Sequence, residues 1–401
     1  MTQRYHALDS LRGIMMWLGI IVHVSINHMA GESILPWRDT QTGPFADLLV
    51  IFIHTFRMPV FFILAGFFGA MLLNKYGAKG MLTNRAKRLA LPFFLFWPPL
   101  LVISGILVLL FMGKMSTDGT LPDLSIIFEQ RRRPLLDTMH LWFLYYLIWF
   151  FILSVIAHSI TQKMPPEFRK KGVVLFSYLS THWWGLLVLS LPLAGVGMLY
   201  EFGLVTPDGS LIPNIGEAIH NGAFFVFGWF FFLNKDVLVE HFQKYCWGYL
   251  ASGTLVFFIA LIEFGVVAQG KMGGIFDRAT IAFTYNFASW LWSLALIGIF
   301  LRYFKQRNRV LNYLSDSSYW IYLVHMIGTM SFGILLYDTS LSLLPKMIVN
   351  IVLTSVACLI SYHFLVRNTS VGQLLNGRKH SKLVKGSHVN TGSRQPHIQP
   401  D

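Results

Sequence analysis

Long apolar runs recur along the whole chain, separated by clusters of charge or by Gly and Pro. A helix of about 20 apolar residues crosses a hydrocarbon layer about 30 Å thick. Ten such stretches can be marked, at about residues 10–28, 46–73, 89–112, 139–160, 183–200, 217–234, 246–268, 280–302, 317–337 and 342–366. The pattern predicts an all-α, polytopic membrane protein. The apolar segment 172–180, just before the fifth stretch, reads either as an interfacial helix or as part of that span. The first run is expected to be a permanent span rather than a removable leader, because it carries His23 and no small-x-small cleavage site follows it. No internal repeat is visible, and no polar stretch is long enough to build a core of its own. Residues 1–376 therefore read as one transmembrane domain. Residues 377–401, polar and basic without periodicity, read as a disordered cytoplasmic tail.

Composition strengthens this picture. Of 401 residues, 54% are hydrophobic and only 13% charged, against roughly 25% charged in soluble domains. The mean hydropathy is +0.55. A net charge of +13 would suggest a nucleic-acid partner in a soluble protein. Here it is better accounted for by the Lys and Arg that membrane proteins keep in cytoplasmic loops, so the expected partner is the lipid bilayer and not nucleic acid. The positive clusters are Lys75, Lys79, Arg85, Lys87 and Arg88; Lys163, Arg169, Lys170 and Lys171; Arg302, Lys305, Arg307 and Arg309; and the tail from Arg367 onward. With ten spans all four lie on one side, which predicts that both termini are cytoplasmic and that the protein sits in a bacterial inner membrane as a multi-pass chain. Residues 113–137, expected outside, dissent with Lys114 and Arg131–Arg133, which read as a solvated face or as a contact for an external substrate. Cys246 and Cys358 have neither disulfide nor metal-ligand spacing.

Ionisable residues inside apolar runs are the candidate chemistry, because such groups are expensive at membrane depth. Arg12 and His23 are eleven residues apart. On a helix that spacing puts them on nearly one face, with His23 about 16 Å deeper. His54 and Arg57 are i, i+3 neighbours in the second stretch, where Pro59 frees a carbonyl and invites a kink. His325, beyond Tyr319 and Tyr322, reaches a similar depth in the ninth. His140 and Trp142 open the fourth at its outer end. They read equally as part of an aromatic belt or as contacts for a hydrophilic acceptor. Arg85 and Arg88, again i, i+3, suit phosphate oxygens at the cytoplasmic surface. No His-x-x-His or similar spacing occurs, so no metal site is expected.

In this order these features resemble the acyltransferase-3 family of integral membrane acyltransferases, over about residues 5–366. The matching elements are Arg12 with His23, Phe61–Gly66, Arg85 with Arg88, His140–Leu144 and Tyr319–His325. Phe52–Phe62 is similar to a glucan-modifying, succinyl-transferring branch of the family. Ala65 stands where the family often has serine, so no hydroxyl is offered there. The resemblance implies catalytic roles for Arg12 and His23 and acyl-donor binding by Arg85 and Arg88. It implies acyl-CoA (succinyl-CoA or acetyl-CoA) as co-substrate with no tightly bound cofactor, and a periplasmic or cell-surface glycan as acceptor. His23 would be the general base. Arg57 would hold an oxyanion or a succinyl carboxylate, and His54 and His325 would orient His23 or shuttle protons. Asp9 would pin Arg12. The alternatives are a secondary transporter of acyl groups or glycans using the same buried His and Arg residues, and a non-catalytic scaffold.

Overall fold

The computed structural model describes residues 5–31, 35–116, 137–268, 274–306 and 308–376. Among these the chain forms α-helices and no β-strand. They are α1 (His6–Ile26), α2 (Pro44–Arg85), α3 (Leu91–Met115), α4 (Trp142–Gln162), α5 (Pro166–Thr181), α6 (Gly185–Gly197), α7 (Ile215–Leu233), α8 (Lys235–Ala268), α9 (Ile275–Tyr303), α10 (Arg309–Leu336), α11 (Leu343–Ser361) and α12 (Ser370–Asn376). A helix lies over each of the ten apolar stretches. By length and apolarity, seven helical runs among the described residues can cross a membrane, or eight if the bent pair α5–α6 is one span. The run from Pro44 to Met115 counts once in that tally, although it holds two of the expected stretches. Arg131–Arg133 and the tail after residue 376 fall outside the described residues.

Local chemistry sets the helix starts. Pro44 follows an extended Gly43 and takes the first helical turn, where no N–H is needed. Asn214 caps α7 by accepting from the N–H of Gly216, and Asn308 caps α10 by accepting from that of Val310, each at 2.8 Å. Within α2 the backbone stays helical through Pro59; the break comes at Gly77 (φ 67, ψ 179), a left-handed conformation that glycine adopts without strain. A π-turn, Ala86–Ala90, then leads into α3. The segment 172–180 belongs to α5, largely exposed and bent by 100° from α6.

α1 runs through the middle, packed on α10, α2, α9 and α11. α2 pairs with α7 at a reciprocal glycine contact. A Cβ on Gly66 would collide with the Phe225 carbonyl, and one on Gly228 with the Ile63 carbonyl. Such close backbone approach is how helices associate where lipid supplies no hydrophobic drive. The outward faces carry exposed Val102, Ile106, Leu255, Ile262, Val352 and Ile360, as lipid contact requires. α1 stops one turn after His23. The chain then folds over its end: Asp39 N–H donates to Asn27 O, Gly43 N–H to His28 O, and Trp37 Nε1 to Asn27 Oδ1. Lys346, fully buried in the first turn of α11, ties this strap down through Asp39 Oδ1 at 2.9 Å and the Tyr337 carbonyl at 2.8 Å.

Candidate active site

Three imidazoles from three different elements meet inside the bundle. The ring centroids of His23 and His325 are 5.0 Å apart, those of His140 and His325 5.2 Å, and those of His23 and His140 6.4 Å. His140 and His325 are buried, while His23 keeps partial access. His325 Nδ1 donates to the carbonyls of Ile321 and Tyr322, at 3.0 and 2.9 Å. His140 Nε2 donates to the Leu323 carbonyl at 3.1 Å, and Tyr322 Oη donates to the His140 carbonyl at 2.9 Å. These two bonds staple the start of α4 to the middle of α10.

The outer-rim position expected for His140 is therefore not where the structure has it. A short 3-10 turn, Met139–Leu141, carries it into the bundle, with Met139 in the left-handed region (φ 52). The descent is held by Trp97 Nε1 donating to the Asp137 carbonyl and by Thr138 N–H and Oγ1 both donating to the Gly209 carbonyl. Irregular backbone at membrane depth is tolerated where protein surrounds it or where it lines a wet cavity. Trp142 stays beside His140 but packs on Phe62 and Tyr146, with centroids at 6.3 and 6.2 Å.

Arg57 is buried beside the cluster. Its Nη2 reaches Met58 Sδ at 3.6 Å, and its Nε and Nη1 meet no protein partner. Gly19, four residues before His23 on the same face of α1, makes room for it: a Cβ there would lie 3.3 Å from Arg57 Nη1 and 3.4 Å from His325 Nε2. His54 is half-buried and lies within electrostatic reach of Arg57 and His23, but it is not in the ring cluster.

Arg12, Arg85 and Arg88 gather at the other end of α1. Arg12 pairs with Asp9 at 3.3 Å, the i, i+3 contact expected of them, and lies 6.0 Å from the Phe68 ring. Arg85 stacks on Phe151 at 4.4 Å, and its buried Nε has no protein partner. Arg12 and Arg88 are close enough to Arg85 to repel it. The backbone of the π-turn is anchored where Tyr319 Oη donates to the Arg88 carbonyl at 2.8 Å. Three guanidinium groups so gathered have the chemistry to hold phosphate-like charge. Among the described residues no three His, Cys, Asp or Glu side chains are grouped to hold a metal ion.

Sequence reasoning passed over Gly19, Met139 and the Asp39–Lys346 pair. Gly19 could have been found from its i, i+4 relation to His23, and Lys346 from its place within an apolar run. The left-handed Met139 leaves no signal in composition or periodicity.

Residues 5–365 match the acyltransferase-3 family model, described as an acyltransferase domain. Among curated proteins the chain is similar to the glucans biosynthesis protein C of Salmonella paratyphi B (strain ATCC BAA-1250 / SPB7), of Salmonella enteritidis PT4 and of Salmonella agona. Each is 26% identical over 348 residues, covering 82% of this chain and 83% of the relative. No solved structure matches. With nine-tenths of its length inside the family model and its polar side chains gathered within an apolar helical bundle, the chain belongs to the acyltransferase-3 family and is a membrane O-acyltransferase.

Proposed function

We propose that the protein moves a succinyl or acetyl group from acyl-CoA on the cytoplasmic side to a hydroxyl of an extracytoplasmic glycan, a glucan being the acceptor its relatives' name suggests. The carrying observation is the meeting of His23, His140 and His325 beside Arg57. In this reading the chain crosses a bacterial inner membrane ten times with both termini inside, as one transmembrane domain over residues 1–376 followed by a basic tail. The nucleotide phosphates meet Arg12, Arg85 and Arg88, and the thioester reaches along α1 toward His23, about 16 Å away along the helix.

His23, the most accessible ring of the three, takes the proton of the acceptor hydroxyl. The oxygen attacks the thioester carbonyl, and Arg57 Nε faces the oxyanion that forms. The C–S bond then breaks, and the proton held by His23 passes to the departing thiolate, so no net proton is consumed. His140 and His325, tethered to backbone carbonyls, hold their rings against His23, and His54 tunes the field at Arg57. His140 and Trp142 border the acceptor's approach from outside.

The test is His23→Ala in purified protein with succinyl-CoA or acetyl-CoA and a glucan. Folding and yield should match wild type, while acyl transfer should fall by at least about 100-fold. Transfer retained near the wild-type rate would remove His23 from the base role. Labelled glycan crossing vesicles without covalent change would favour transport instead.

A further inference from the structure

α10 grips two irregular turns of the chain by the same device. The π-turn Ala86–Ala90 carries Arg88, and the 3-10 turn Met139–Leu141 carries His140. In each case a tyrosine hydroxyl of α10 donates to the main-chain carbonyl of that very residue. Tyr319 Oη reaches the Arg88 carbonyl at 2.8 Å, and Tyr322 Oη the His140 carbonyl at 2.9 Å. The tyrosines are i, i+3 neighbours, about 4.5 Å apart along the helix axis. One further step of three residues reaches His325, whose ring completes the histidine cluster.

The sequence explains why a side chain is needed at the first turn. A helical carbonyl accepts from the N–H four residues on. For Arg88 that residue is Pro92, which has no N–H. The Tyr319 hydroxyl takes its place, and it also lies within electrostatic reach of Arg85. At the second turn, Tyr322 Oη donates to the His140 carbonyl and accepts from the N–H of Leu144, four residues on, so it enters the first turn of α4. A bond inside a helix ties a turn only to itself. A hydroxyl from another helix also fixes where the turn stands relative to that helix.

We infer that Tyr319 and Tyr322 are positioning residues with separable duties. Tyr319 sets the arginines for the phosphates of the donor, and Tyr322 sets His140 against His23 and His325. What the arginines and histidines do rests on the acyl-transfer reading above. α10, one rigid helix, then fixes the span between the donor's head and the reacting centre. Each tyrosine acts through the backbone it holds, and no covalent bond changes at either.

The test removes one hydroxyl at a time, as Tyr319→Phe and Tyr322→Phe, in the full-length protein in nanodiscs. It reads the Kd for coenzyme A, the part common to succinyl-CoA and acetyl-CoA, the turnover at saturating donor with a glucan, and the melting temperature. Tyr319→Phe should weaken coenzyme A binding about three- to tenfold, with turnover within about twofold of wild type. Tyr322→Phe should reverse the split, turnover falling about tenfold or more while coenzyme A binding stays within about twofold. A merely structural pair would lower the melting temperature and move binding and turnover together. Such parallel changes, or wild-type values in both variants, would overturn the inference. Wild type that does not bind coenzyme A would sink the donor reading and the duty of Tyr319 with it. Wild type that binds coenzyme A, shows the Tyr319→Phe weakening and transfers no acyl group would sink the transfer reading and the duty of Tyr322, and support that of Tyr319.

Discussion

Arg57 holds a charge that its guanidinium does not shed, in a place where few side chains carry one. Its spacing from His54 was readable in sequence, since i, i+3 residues share a helix face. Its company was not: its neighbours belong to α1 and α10, and only tertiary packing decides that His325 and Gly19 lie beside it while His54 stays outside the ring cluster. His140 is harder still. Its membership of the cluster depends on one left-handed residue, Met139, which no periodicity announces. Beyond the end of α1, His28 illustrates the same dependence on neighbours. Burial pushes its pKa below the ordinary 6.5, and the charge of Lys346 adds to this, against the opposing pull of the Gln41 carbonyl and Asp39. The unfolded chain then takes up a proton near pH 6.5 that the folded strap refuses. The stabilisation is full above that pH and is lost as pH falls from there toward the folded value. Thermal unfolding between about pH 7.5 and pH 5.5 should show a falling midpoint, and His28→Gln should flatten the slope.

At the scale of elements, every expected apolar stretch is helical, because about 20 consecutive apolar residues in lipid have no other way to satisfy their backbone. Ends and bends were less legible. α2 breaks at Gly77 rather than Pro59, and α4 begins within the bundle. Each depends on a loop's hydrogen bonds or on one dihedral angle, and neither alters hydropathy. Close packing of α2 on α7 carries a direct expectation. Gly228→Ala would drive a methyl into the Ile63 carbonyl and should destabilise the protein by about 1–3 kcal/mol. Gly248→Ala on α8, where a Cβ meets nothing within 4 Å, should be neutral or stabilising by up to about 1 kcal/mol. Melting temperatures in one detergent would separate the two.

For the whole molecule, the open question of sidedness has a clean experiment, because both native cysteines, Cys246 and Cys358, are buried and give little background. With cytoplasmic termini, a membrane-impermeant maleimide added to spheroplasts should label Thr339→Cys, in the turn between α10 and α11, and leave Lys163→Cys, between α4 and α5, unlabelled until the cells are opened. The reverse pattern would invert the orientation. The loop charges that suggest this orientation are spread over four segments, so the expectation does not hang on any one loop.

The strap that closes over the end of α1 also constrains what the enzyme can leave behind on a polymer. With Asp39 and Lys346 clamped together beyond the end of α1, the acyl-transfer reading expects a saccharide to offer one unit at a time, which chain ends and branch tips do more readily than interior units. Decoration should therefore be sparse and clustered at such tips, and fragment mapping of the product by mass spectrometry would reveal it; an even scatter along the backbone would mean that the lid lifts during turnover.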